Sequence, residues 1–105
     1  MVKDALVVLV TCPPDQAEAL AEKLVEERVA ACVNLVTKLR SVYRWKGSVQ
    51  RDDETLLIAK TTADRFEALK RTVLKHHPYD VPEVIALPIA QGHAPYLEWL
   101  AESTR

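Results

Sequence analysis

The 105-residue sequence predicts an α+β fold of the ferredoxin-like βαββαβ type, a sandwich of two helices on one four-stranded antiparallel sheet. Three observations predict it. Valine-rich runs of strand length alternate with two segments whose apolar residues recur at helical spacing. A long hairpin pattern separates the two helical segments, so the order is strand, helix, strand, strand, helix, strand. A right-handed crossover after the first helix then places the returning hairpin strand between two parallel strands.

The first strand and the first helix account for the amino-terminal quarter of the chain. Ala5–Val10 is a continuous apolar run, typical of a strand that is buried on both faces. Pro14 and Asp15 favour the start of a helix, because proline is tolerated in the first turn and a carboxylate stabilises the amino terminus. The apolar stripe of this helix consists of Ala17, Leu20, Ala21, Leu24 and Val25. We expect the helix to end near Arg28.

A hairpin over residues 30–61 is the longest predicted element. From Ala30 to Trp45 most odd positions are apolar, while Asn34, Lys38, Arg40 and Arg44 occupy even positions, which predicts one half-buried strand. Residues 46–48 form the turn, and residues 49–61 return as the second strand, with the acidic run at residues 52–54 interpreted as solvated. The hairpin is longer than one small core needs, and Tyr43 and Trp45 on it would promote aggregation unless a neighbouring subunit covered them. We therefore expect an oligomer built on this hairpin.

The rest of the chain predicts a helix, a strand and a short carboxy-terminal helix. Thr62 is a suitable cap for the second helix, which Pro78 must end. Residues 84–89 form the last strand, and Pro88 places it at an edge or a bulge of the sheet because proline donates no backbone hydrogen bond. Residues 92–105 predict the short helix. Its packing face consists of Tyr96, Trp99 and Leu100.

Length and composition restrict the function. We expect one domain over residues 1–105. A net charge of −1 lacks the basic surplus that binding to nucleic acid or to an anionic membrane requires. No apolar stretch is long enough to cross a bilayer and no cleaved leader is evident, so we expect a cytoplasmic protein. With two glycines there is no phosphate-binding loop, and no serine has an evident partner base, so we expect no enzyme.

Candidate metal ligands lie near the end of the second predicted helix. The topology brings Cys12, His76, His77 and Glu83 to one edge of the sheet. Thiolate and imidazole suit copper or zinc, and a carboxylate can complete or orient such a site. Adjacent helical residues point about 100° apart, so both histidines face one ion only where the last turn unwinds before Pro78. The structural alternative is that both imidazoles favour the negative end of the helix dipole and bond its free carbonyls.

The second cysteine, Cys32, is predicted at the opposite edge of the sheet from Cys12. A strand of this length spans roughly 20 Å at about 3.3 Å per residue, too far for a disulfide or a shared metal within one subunit. We expect two free thiols, with Cys32 acting as a small buried apolar residue.

Five segments give the chain a resemblance to a known family. They are AACVN at residues 30–34, SVYRWKG at 41–47, KTT at 60–62, HHPYDVPE at 76–83 and YLEWL at 96–100. Together, over essentially the whole chain, they resemble the CutA family of divalent-cation tolerance proteins. The resemblance implies a tight homotrimer similar to the PII signalling proteins, with hairpins that pair between subunits, a cytoplasmic location and copper binding. It carries the copper ligands to His76 and His77, whereas the family cysteine after the first strand aligns with Thr11, one residue before Cys12.

Three hypotheses about function follow. The first is a trimeric, non-catalytic divalent-cation tolerance protein that binds copper, or alternatively zinc, through His76, His77 and Cys12. The second is a PII-like sensor trimer that binds a small anionic metabolite in clefts between subunits. The candidate cleft residues are Cys32, Arg44, Trp45, Lys60 and Glu83. The third is a trimer with a structural role only.

Overall fold

The computed structural model describes residues 4–105, and over this range it contains one four-stranded antiparallel sheet. The strands are β1 (Ala5–Cys12), β2 (Cys32–Trp45), β3 (Ser48–Thr62) and β4 (Val84–Pro88). The helices are α1 (Pro14–Glu26), α2 (Phe66–His76) and α3 (Ala94–Ser103), with a single 3-10 turn (Ala63–Arg65) before α2. The strand order is β2-β3-β1-β4. The predicted ferredoxin-like α+β fold is confirmed.

The first helix begins as predicted and ends earlier. Pro14 occupies its first turn together with the acidic Asp15. Arg28 adopts a left-handed φ of 59°, and the backbone N–H groups of Val29 and Ala30 both donate to the carbonyl of Leu24. This turn ends α1 at Glu26 rather than near Arg28, because a left-handed residue cannot continue a right-handed helix.

The second helix differs from its prediction at both ends. Thr62 is still part of β3, and its side chain accepts no capping hydrogen bond from the backbone N–H groups that follow. A 3-10 turn separates it from α2. The predicted cap is therefore wrong for α2, whose preceding residue is Arg65. At the other end His77 is extended, with φ −85° and ψ 137°. A residue before proline avoids helical geometry, so Pro78 leaves His76 as the last helical residue.

The hydrophobic core lies between one face of the sheet and helices α1 and α2. Its fully buried large members are Val8, Val10, Leu24, Leu57, Leu69 and Val73. The other face of the sheet, which we call the open face, carries no such cover over most of its area. Its apolar residues are Val7, Leu9, Leu56, Ile58, Ile85 and Leu87. The prediction that β1 is buried on both faces is thus wrong within one subunit, because Val7 and Leu9 are only partly buried.

A bulge divides β2 into two parts. The register with β3 shifts between residues 36 and 39, where Lys38 adopts a φ of 61°. Before the shift, Leu35 lies opposite a leucine of β3 on the helix side; after it, Leu39 lies opposite a glutamate on the open face. One extra residue reverses the side on which alternate residues point. The predicted single apolar face is therefore wrong, and Tyr43 and Trp45 belong to the open face.

The hairpin of β2 and β3 extends beyond the rest of the sheet. β1 pairs with β3 only between Thr55 and Thr62, so the outer hairpin is a two-stranded ribbon. The subunit is correspondingly elongated, with extents of 47 × 25 × 22 Å. β4 pairs only with β1 and forms an edge, as Pro88 predicts.

The terminal helix packs through fewer residues than expected. Leu100 is fully buried against Ala5 and Ala31, which confirms one residue of the predicted packing face. Tyr96 and Trp99 are exposed and contact each other, with ring centroids 5.5 Å apart. Their predicted burial is wrong within one subunit, because α3 covers only the end of the open face where β1 begins.

Candidate functional site

Two neighbouring clefts lie at the edge of the sheet where β1 ends, and they share Pro78. The first, which we call the helix-end cleft, has a volume of about 270 Å³. Its polar and cysteine lining comprises Cys12, Asp15, Gln16, Lys23, His76 and His77. The second, which we call the sheet cleft, opens on the open face with a volume of about 640 Å³. Its aromatic and acidic lining comprises Tyr43, Trp45, Glu54, Tyr79, Asp80 and Glu83.

The predicted metal ligands are divided between these clefts. Cys12, His76 and His77 line the helix-end cleft, whereas Glu83 lines the sheet cleft. The expected convergence of all four residues is therefore incomplete. Over residues 4–105 no group of three histidine, cysteine or acidic side chains is arranged to hold a metal ion.

His77 is held by hydrogen bonds through both ring nitrogens. Its side chain is buried at 8% exposure. The backbone N–H of Tyr79 donates to Nδ1 at 3.2 Å, so Nδ1 carries no proton. Nε2 lies 2.8 Å from the carbonyl oxygen of Thr11, which only accepts, so Nε2 carries the proton and donates. This neutral tautomer leaves neither nitrogen free to bind a metal ion.

Cys12 is also poorly suited to metal binding in this conformation. Its side chain is fully buried. Burial, together with the nearby negative charge of Glu54, raises the pKa of the Cys12 thiol to about 11. A metal ligand must be a thiolate, and this thiol stays protonated at neutral pH. The residues of the helix-end cleft thus do not fit copper or zinc as they stand, since His76 alone offers an exposed imidazole. Their role as ligands stays a prediction.

Tyr79 links the segment after α2 to the central strand β3. Its hydroxyl donates to Glu54 Oε2 at 2.9 Å, and its ring meets the His77 ring edge-on with centroids 4.6 Å apart. Burial, the hydrogen bond to Glu54 and the negative charges of Glu54 and Asp52 all raise the pKa of the Tyr79 phenol. Through His77 and Tyr79, the chain after α2 is bonded to both β1 and β3. His77 lines the helix-end cleft and Tyr79 lines the sheet cleft, with the shared Pro78 between them.

The sheet cleft combines aromatic side chains with carboxylates. Tyr43, Trp45 and Tyr79 supply the aromatic surface, and Glu54, Asp80 and Glu83 supply the carboxylates. The Tyr43 hydroxyl donates to Asp52, and this bond raises the pKa of Tyr43. None of the described residues that line the cleft is lysine, arginine or histidine. The charge of the cleft does not match the expected anionic metabolite.

The remaining predicted cleft residues lie elsewhere. Cys32 and Lys60 face each other in the sheet towards the start of β1, and Lys60 Nζ donates to Asn34 and lies 4.0 Å from Cys32 Sγ. Cys32 is half-buried rather than buried, because it points to the open face, and both thiols are free as predicted. Arg44 alternates with Trp45 and points away from the sheet cleft. Of this set, only Trp45 and Glu83 line one cleft.

Sequence reasoning did not identify Glu54 or Tyr79 as site residues. Glu54, interpreted as part of a solvated acidic run, is buried at 4% exposure within β3. The interpretation was wrong because Glu54 has the same parity as Leu56 and Ile58, which places it on the open face of β3, where the Tyr79 hydroxyl donates to it. One sequence feature could have identified Glu54. The acidic residues 52–54 lie inside a predicted strand, so regular alternation places them on both faces of the sheet.

Comparisons with known proteins identify the family. The family model for the CutA1 divalent ion tolerance protein matches residues 6–103. The divalent-cation tolerance protein CutA of Thermus thermophilus is 54% identical over 99 residues, covering 93% of this chain and 96% of that protein. The crystal structure of CutA1 from Oryza sativa is 50% identical with a TM-score of 0.96, covering 99% and 96% of the two chains.

A third comparison concerns the fold class. The PII-like protein CutA from Nostoc sp. PCC 7120 is 32% identical with a TM-score of 0.90, covering 95% of this chain and 98% of that chain. The chain spans only 54–58% of the length of its plant and mouse relatives. None of the described helices is long and apolar enough to cross a membrane. The chain belongs to the family of CutA1 divalent ion tolerance proteins, and its fold is PII-like.

Proposed function

We propose that this protein is a non-enzymatic divalent-cation tolerance protein that works as a homotrimer. The open face carries this proposal. Ile85 and Leu87 on β4 are 50% and 48% exposed, and they continue an apolar surface formed by β1 and β3. A soluble monomer rarely leaves so large a contiguous apolar sheet face in water. A second and a third copy of the same chain would cover it, as the resemblance to PII proteins implies.

The outer hairpin supports the same assembly. Val42, Tyr43 and Trp45 lie on a two-stranded ribbon with free edges and remain exposed. The edge of β4 is also unpaired within the subunit. Free strand edges with apolar side chains pair readily with another chain, and a neighbour's hairpin supplies such an edge.

The assembly is tested by measuring molar mass in solution with light scattering after size exclusion. The wild-type protein should give three times the 11.8 kDa mass of the chain. Ile85→Lys should break the assembly, because it places a charge in the covered face. Leu74→Lys is the matched control, since Leu74 is equally exposed at 50% but lies on α2. A wild-type mass of one chain at all concentrations would refute the proposal.

The metal is proposed to be copper, with zinc as the alternative. His76 is the first contact in this proposal, because its imidazole is exposed at the helix-end cleft while His77 and Cys12 are engaged or protonated. Tight binding through His77 would require the bonds to Thr11 and Tyr79 to open. We therefore expect weak binding of copper to each subunit. We also propose a cytoplasmic location for the protein.

A PII-like sensor is the second candidate function, and the sheet cleft favours it. At about 640 Å³ the cleft falls within the range of roughly 300–1,000 Å³ typical of small-molecule sites. It opens on the face that the trimer would cover, so a neighbouring subunit would lie against its mouth. Ligand binding there would be coupled directly to subunit contacts.

A further inference from the structure

The sheet cleft carries charge of one sign. Glu54, Asp80 and Glu83 line it, and no basic side chain is among the described lining residues. Glu54 is buried at 4% exposure and accepts from the Tyr79 hydroxyl, and Asp52 beside it accepts from the Tyr43 hydroxyl. The cleft therefore has a negative potential, which disfavours an anionic ligand and favours a cationic one.

The cleft also has an accessible aromatic surface. Tyr43 and Trp45 are each 39% exposed, and Tyr79 is 36% exposed. The faces of such rings attract a cation, and aromatic side chains grouped with carboxylates are typical of sites for ammonium and quaternary ammonium groups. In the proposed trimer these rings would line a cleft between subunits, because the sheet cleft opens on the face that the neighbouring copy would cover.

Trp45 already contacts a cation within the subunit. Lys46 Nζ, in the hairpin turn, lies 5.8 Å from the centroid of the Trp45 ring. This distance shows that the Trp45 ring is within reach of a positive group. The Nζ atom lies at the end of the long Lys46 side chain. A ligand cation bound in the cleft would therefore compete with Lys46 for the Trp45 ring.

We propose that the sheet cleft binds a small organic cation, an amine or quaternary ammonium compound, between its aromatic rings and its carboxylates. The inference rests on the second candidate function, in which this cleft is the ligand site of a PII-like sensor, and it replaces the anionic ligand expected from the sequence. A bare divalent ion fits less well, because no described cluster of acidic, cysteine and histidine side chains has a metal-binding arrangement.

Choline is a suitable probe, and dimethylbutanol, its neutral isostere, isolates the contribution of charge. Binding is followed by calorimetry and by tryptophan fluorescence, since one of the two tryptophans, Trp45, lines the cleft while Trp99 lies on α3. Choline should bind saturably and dimethylbutanol at least about tenfold more weakly. Trp45→Leu should weaken choline binding about fivefold and abolish the fluorescence change. Trp99→Leu should retain both the choline affinity and the fluorescence change.

Charge variants provide a second, independent readout. Glu83→Gln should weaken choline binding, whereas Glu98→Gln on α3 should not. Lys46→Gln should strengthen it by removing the competing cation. Citrate serves as the anionic probe and should not bind in the cleft. All samples are checked for folding by circular dichroism.

The molar mass of each sample is measured in parallel, so that failure of the cation inference is distinguished from failure of the proposed trimer. A trimer in which choline and dimethylbutanol bind equally, or in which citrate displaces choline at the Trp45 signal, overturns the cation inference and leaves the assembly intact. Choline binding to a protein that stays monomeric overturns the proposed trimer and supports the inference.

Discussion

At the scale of single residues, His77 is fixed by its own subunit. Thr11 accepts from one ring nitrogen and the backbone of Tyr79 donates to the other. A neutral buried imidazole with a hydrogen bond at each ring nitrogen contributes to stability, and its removal takes one hydrogen bond from the Thr11 carbonyl and one from the Tyr79 amide. His76, one residue earlier, ends α2 and is exposed. Adjacent histidines thus have different surroundings.

A copper titration of three histidine variants tests this difference. His76→Ala should weaken copper binding by about tenfold or more, equivalent to about 1.4 kcal/mol. His77→Ala should leave copper binding unchanged and lower the free energy of unfolding by about 1–3 kcal/mol. His93→Ala is the control, since His93 precedes α3 and lines neither cleft. Loss of copper affinity in a stably folded His77→Ala protein would show that His77 is a ligand after all.

The thiol of Cys12 makes stability depend on alkaline pH. Its pKa is about 11 in the folded protein against an ordinary value of 9.0, so the folded state retains the proton over a range in which the unfolded chain loses it. Stability from this group is complete below about pH 9 and decreases as pH rises towards 11. The loss should approach about 2.7 kcal/mol above the folded-state pKa, because a shift of one pKa unit corresponds to about 1.36 kcal/mol.

Chemical denaturation between neutral and alkaline pH measures this effect. Cys12→Ala should lose stability less steeply with pH than the wild type does, even though it is less stable at neutral pH. Val10→Ala, equally buried on the same face of β1, controls for lost packing and should keep the wild-type slope. Equal slopes for all three proteins would mean that Cys12 ionises normally.

At the scale of elements, the bulge in β2 is the main irregularity. Lys38 holds a φ of 61°, which costs a residue with a side chain roughly 1 kcal/mol and costs glycine little. Lys38→Gly should therefore raise the free energy of unfolding by up to about 1 kcal/mol. Arg40→Gly, in the regular part of the strand, should lower it by a similar amount, because glycine loses more backbone entropy there. Urea denaturation of both variants checks this, and destabilisation by Lys38→Gly would show that the lysine side chain itself supports the bulge.

At the scale of the whole molecule, the fold follows from local patterns and the site does not. Strand and helix periodicities were sufficient for the βαββαβ order, and Pro88 restricted β4 to an edge or a bulge, of which the edge is found. The extra residue at Lys38 carries no sequence signal, because lysine is an uncommon residue at positive φ. Once it was missed, the face of every later residue of β2 was reversed. Glu54 was taken for a solvated residue for another reason, because its partner Tyr79 lies 25 residues later in the sequence. Burial of Tyr96 and Trp99 was overestimated within the subunit because the helical pattern does not say what a face packs against.

The bulge divides β2 into two stretches that contact different parts of the assembly. Up to residue 36 its alternate side chains contact the subunit's own interior, and from residue 39 onwards the same alternation points to the surface proposed for contacts with other copies. Substitutions in the first stretch should alter the folding stability of the subunit. Substitutions in the second should alter which chains the subunit associates with. Engineers could therefore redesign partner choice in this protein by editing seven consecutive positions, Leu39 to Trp45, without repacking its interior.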